Sequence, residues 1–145
     1  MRRLLLRFFL LLALFGVATA ADQAGLAIKG YDPVAYFTLG KAVRGLPELE
    51  YEWDEQVYRF SRAEHRELFK ADPARYAPRF GNLCTIALAR GEITEANPEF
   101  WIISEGKLYL FGKAIGPKLF QQDVAGNIAR AEKNRPRSRD AKGSK

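Results

Sequence analysis

Cys84 is the only cysteine among 145 residues, and it constrains the fold more than any other feature of the chain. No disulfide can form within the molecule. No closed four-ligand zinc site of Cys and His can be built either, because His65 is the only histidine. A domain without such staples must be held by an apolar core. The supply is adequate, since 48% of residues are hydrophobic and 12% aromatic, which separates the chain from disordered sequences.

Not all of that apolar material belongs to the core. Arg2, Arg3 and Arg7 lead into an apolar run from Phe8 to Ala18, interrupted only by Gly16, and Ala18-Thr19-Ala20 follows. A positive start, a short apolar segment and small residues at its end mark residues 1–20 as a cleavable bacterial signal peptide. Cleavage is expected before Ala21. The run is shorter than the ~20 apolar residues of a bilayer crossing, so no transmembrane anchor is expected after cleavage. The expected location is the periplasm, or secretion beyond it.

The formal net charge of +6 is unevenly spread. Residues 21–132 hold fourteen basic and sixteen acidic side chains, a net of −2, and the surplus lies in the leader and after Lys133. A mildly acidic folded region excludes the basic footprint of a nucleic-acid-binding domain. The expected division is therefore a signal peptide over 1–20, one domain over 21–134, and a basic disordered tail over 135–145.

Within the domain, Asp32-Pro33 predicts a short helix with an acidic N-cap and proline in its first turn. Leu49, Tyr51 and Trp53 alternate with Glu48, Glu50 and Glu52, and Tyr58 and Phe60 resume the pattern beyond Asp54-Glu55. Period-two patterning with one wet face predicts a β-hairpin. Ser61-Arg62-Ala63-Glu64 reads as a capping box opening a helix. Asp72-Pro73 starts a short helix through Tyr76, and another is expected over 83–89, with Gly91 as its breaker. A second hairpin turns at Glu105-Gly106, and two helices complete the chain over 113–121 and 123–134. The expected class is α+β, with a small antiparallel sheet from two hairpins and intervening and C-terminal helices.

No phosphate loop, zinc helix, CxxC pair or nucleophile elbow is present. Cys84 near a helix N-terminus is the one residue with a chemical rationale, because the helix dipole favours its thiolate. A thiolate with a neutral imidazole suits a soft ion such as Cu(I), which makes Cys84 and His65 the candidate metal ligands. The structural alternative makes Cys84 a small buried hydrophobe and His65 a core-facing ring bonded to a backbone carbonyl.

The chain also carries a family resemblance. Gly30-Tyr31-Asp32-Pro33-Val34-Ala35-Tyr36-Phe37 resembles the opening signature of exported YHS-domain proteins. Tyr58-Arg59-Phe60-Ser61, Glu64-His65, Phe69 and Asp72-Pro73-Ala74-Arg75-Tyr76-Ala77-Pro78 follow in that family's order. So do Gly81, Cys84, Trp101, Lys107-Leu108-Tyr109-Leu110 and Asn127-Ile128-Ala129-Arg130-Ala131, and the match covers about residues 26–134. The resemblance implies a small treble-clef-like module associated with metals, copper foremost, at Cys84 first and His65 second. Expected partners are a soft metal ion and either a second copy or a metal-handling protein.

Two other readings use different residues. Tyr31, Tyr36, Trp53 and Trp101 could line a pocket for an aromatic or apolar small molecule, although large aromatics also dominate the cores of small domains. Cys84 could cycle through sulfenic acid in a thiol-dependent redox protein, with an external resolving thiol.

Overall fold

The computed structural model describes residues 25–137; the signal peptide expected over 1–20 and the tail beyond 137 lie outside the described residues. A turn over Ala27–Gly30 precedes α1 (Ala35–Thr38), β1 (Leu46–Trp53), β2 (Gln56–Phe60), α2 (Ala63–Ala71), α3 (Pro73–Tyr76) and α4 (Thr85–Ala89). Then follow β3 (Asn97–Ser104), β4 (Lys107–Phe111), α5 (Gly116–Gln122) and α6 (Val124–Asn134). The class is α+β, as the patterning predicted. The two hairpins do not merge into one sheet, however: β1 pairs only with β2 and β3 only with β4.

Each hairpin closes where the sequence places it. Asp54 and Glu55 have φ of 51° and 61°, and Glu105 and Gly106 have 50° and 73°. Two successive left-handed residues match the right-handed twist of the flanking strands, so both turns keep the register tight. Tyr51 faces Tyr58, and Ile103 faces Leu108.

β4 organises the interior. Leu108 and Leu110 point into one apolar cluster with Tyr36, Tyr58, Phe60 and Phe69. Tyr109 and Phe111 point into a second, with Cys84, Leu88, Phe120 and Ala131. Alternating side chains of a strand face opposite sides, so a strand buried on both faces reads as a continuous apolar run. Helices α4 and α6 close over the second cluster. Among the described residues no helix is long and apolar enough to cross a membrane.

Local expectations hold at some helix ends and fail at others. The Asp32 carboxylate accepts from the backbone N–H of Val34 (2.9 Å) and Ala35 (3.2 Å) and so holds the turn leading into α1, although the helix itself begins later than expected, at Ala35 with Val34 as its N-cap. Asp123 likewise accepts from Gly126 N at 3.0 Å at the start of α6. The capping box at Ser61 does not form. α2 begins at Ala63 without a side-chain cap, and Ser61 gives both its N–H (2.8 Å) and its hydroxyl (2.6 Å) to Asp32 Oδ2. A buried carboxylate is a stronger acceptor than the local Glu64–backbone exchange, and tertiary contact wins.

Candidate functional site

The segment carrying Cys84 is fixed before α4 begins. Asn82 O accepts from Ala96 N at 2.7 Å, and Cys84 N donates to Thr94 O at 2.9 Å. Asn82 Oδ1 also accepts from Ile28 N at 2.5 Å. That bond anchors a turn in which Ile28, Lys29 and Gly30 all have positive φ, at 43°, 53° and 81°. A β-branched residue avoids this region, so Ile28 is held there by its surroundings: its side chain is buried and its N–H is bonded.

The helix expected over 83–89 begins two residues later, at Thr85, so Cys84 stands at its N-cap rather than inside it, and is 8% exposed. It lines a cleft of about 450 Å³ together with Ile86, Glu92, Glu95, Lys113 and Ile115. Gly112 packs beside the buried thiol. A Cβ there would stand 3.7 Å from Sγ and 3.2 Å from Glu95 O. The lining mixes one soft donor with two hard carboxylates, Glu92 and Glu95, and two cations, Arg90 and Lys113.

His65 is elsewhere. It is 4% exposed and lies in a polar knot within the first half of the chain. Its Nδ1 is 2.6 Å from Asp32 Oδ2 and its Nε2 is 2.9 Å from Thr38 Oγ1. The expected backbone-carbonyl partner is therefore replaced by a carboxylate and a hydroxyl. Asp32 is fully buried and accepts five bonds, from Val34, Ala35, Ser61 twice, and His65. Five donors converge on its two oxygens, so this buried polar group is fully partnered within the chain.

The structure does not bring the two candidate ligands together. His65 is not among the residues lining the Cys84 cleft, and both its ring nitrogens are already bonded within the chain. Among the described residues no three His, Cys, Asp or Glu side chains gather into a metal-binding group. The donor set therefore offers Cu(I) one thiolate from this chain, and an ion that takes two or three soft ligands would need another from outside it.

Tyr31 and Tyr36 are buried, with hydroxyls donated to Glu99 Oε1 and to Pro98 O, both at 2.8 Å. Trp101 packs edge-on against Tyr36, with ring centroids 5.1 Å apart. All four aromatic candidates, Trp53 included, pack on the first apolar cluster. Trp53 also lines a cleft together with Arg79, Lys107, Arg135, Asp54 and Glu132. The sequence held no signal for that company, since Lys107 and Arg79 are distant from Trp53 along the chain. Compared with known proteins, the chain matches no family model, no curated protein and no solved structure.

Proposed function

We propose that this chain is an exported binding module whose site is the Cys84 cleft, and that it takes a soft metal ion, copper(I) foremost, through the Cys84 thiolate. The observation that carries this reading is a thiol at a helix N-cap opening onto a cleft roomy enough for an ion and a small co-ligand. The resemblance to exported YHS-domain proteins points the same way. Because the chain offers one soft donor, the ion would arrive with, or acquire, a second donor from a small thiol, a second copy or a metal-handling protein. Low coordination favours exchange, which suits buffering or handover. Glu92 and Glu95 are balanced in the lining by Arg90 and Lys113 and would not serve as ligands, since hard oxygens match Cu(I) poorly. His65 stays outside the site.

Competition against a chromophoric Cu(I) chelator, anaerobically and with an added monothiol, tests the reading. The chain from Ala21 should withdraw one ion per molecule, Cys84→Ser should withdraw none, and His65→Gln should match the unaltered chain. Equal competition by the unaltered chain and Cys84→Ser would end the proposal.

A further inference from the structure

A second cleft, of about 390 Å³, lies where the tip of the first hairpin meets the start of β4 and the end of α6. Its wall is set by Trp53, Tyr58, Arg79, Lys107, Glu132 and Arg135. Trp53 is half-buried, braced by Phe69 at 6.0 Å and Tyr58 at 6.2 Å between ring centroids, and the rest of its indole faces the cleft.

The charges do not cancel evenly. Glu132 takes Arg79 in a 2.9 Å ion pair and lies 4.0 Å from Arg135, whose guanidinium also donates to the Arg79 carbonyl oxygen. Asp54 adds one more carboxylate to the lining, from the exposed turn. Lys107 Nζ donates to Ala74 O at 3.2 Å, and among the described residues it has no carboxylate partner. Three cations against two carboxylates leave one positive charge, and Lys107 is the group with bonding capacity to spare.

We propose that this cleft binds small planar monocarboxylates of the benzoate type, with the carboxylate on Lys107 and the ring against Trp53. A single surplus charge matches a monoanion and would be overdrawn by a phosphate dianion. The volume lies within the range of ordinary small-molecule sites, and an aromatic wall with one placed charge is how such sites fix orientation. Burial pushes the Tyr58 phenol up to about 12, helped by Asp54, so it stays neutral beside the anion. The site shares no lining residue with the Cys84 cleft, and the two proposals fail independently.

Trp53 and Trp101 are the only tryptophans, so indole N–H resonances of the ¹⁵N-labelled chain from Ala21 give two signals, assigned with Trp53→Phe. Titration with benzoate should move the Trp53 signal saturably and leave Trp101 in place. Benzyl alcohol and acetate should each bind about tenfold more weakly, because each keeps only one of the two interactions. Lys107→Gln should lose about tenfold for benzoate with Trp101 unmoved, which also reports an intact fold, and Lys107→Arg should largely restore binding. An unmoved Trp53 signal, equal binding of benzyl alcohol, or unchanged affinity in Lys107→Gln would each overturn the proposal.

Discussion

His65 Nδ1 sits 2.6 Å from the Oδ2 oxygen of Asp32, a carboxylate with no exposure to solvent. That contact joins the segment leading into α1 to α2 across 33 positions, and Ser61 enters the same oxygen from the strand end between them. Asp32→Ala would leave five donors without their acceptor, one of them an imidazole. Loss of one partner from a buried charged network costs about 3–5 kcal/mol. The urea midpoint should fall accordingly, whereas a loss below about 1 kcal/mol would show that water replaces the carboxylate.

Glu55 should be improvable. It holds a φ of 61° in the first hairpin's turn, directly after Asp54 at 51°. Asp-Gly is the preferred pair for such a turn, and glycine carries no Cβ penalty there. Glu55→Gly should raise stability by about 0.5–1 kcal/mol in thermal or urea unfolding. A destabilised variant would mean that the Glu55 side chain makes a contact worth more than the relieved strain.

Alkaline stability has a defined sign. Burial pushes the Tyr58 phenol up to about 12, and burial pushes Tyr36 well above its ordinary range, with Glu99 adding to it. Above about pH 10 the unfolded chain releases these protons while the folded chain keeps them. Stability should be level below about pH 10 and should fall as pH rises toward about 12. Tyr58→Phe should flatten part of that fall in urea midpoints measured across the range. A midpoint indifferent to pH up to about 12 would contradict the buried placement of both phenols.

Access to the thiol should depend on Gly112. Its φ lies outside the left-handed region, so alanine is allowed by the backbone, yet the new methyl would stand 3.7 Å from Cys84 Sγ. Gly112→Ala should slow alkylation of Cys84 by iodoacetamide severalfold and weaken Cu(I) retention, with an unfolding midpoint lowered by about 1 kcal/mol or less. Unchanged alkylation would mean that reagents approach the thiol from another side.

Gly45 marks the opposite case. A Cβ at this position would collide with the backbone carbonyl carbon of Arg59 on the neighbouring strand. Because the obstacle is backbone, no side chain can swing aside. Gly45→Ala should therefore cost at least about 2 kcal/mol by overpacking, read from thermal unfolding. A near-neutral result would show that β1 can shift at its bulge, between Leu46 and Glu50, to make room.

Short-range chemistry was readable along the chain. The alternation through Tyr51 and Trp53, the turn pairs at Asp54-Glu55 and Glu105-Gly106, and the bonds from Asp32 into the start of α1 are interactions within a few residues, which local composition encodes. Cys84 at the mouth of α4 followed from the same logic. The apolar run Leu108–Phe111 signalled a strand, but not that its two faces would split the interior into separate clusters. Partnerships spanning tens of residues were beyond sequence reading: Ser61 with Asp32 instead of its own helix, His65 with Thr38, Lys107 beside Trp53. Each depends on which surfaces the packed elements bring together, and it is settled by competition among many acceptors and contacts of similar strength. The sequence by itself thus determined the elements and their order, while only the tertiary structure decided where several helices begin and which polar groups meet, because local propensities act over a few residues and burial acts over the whole chain.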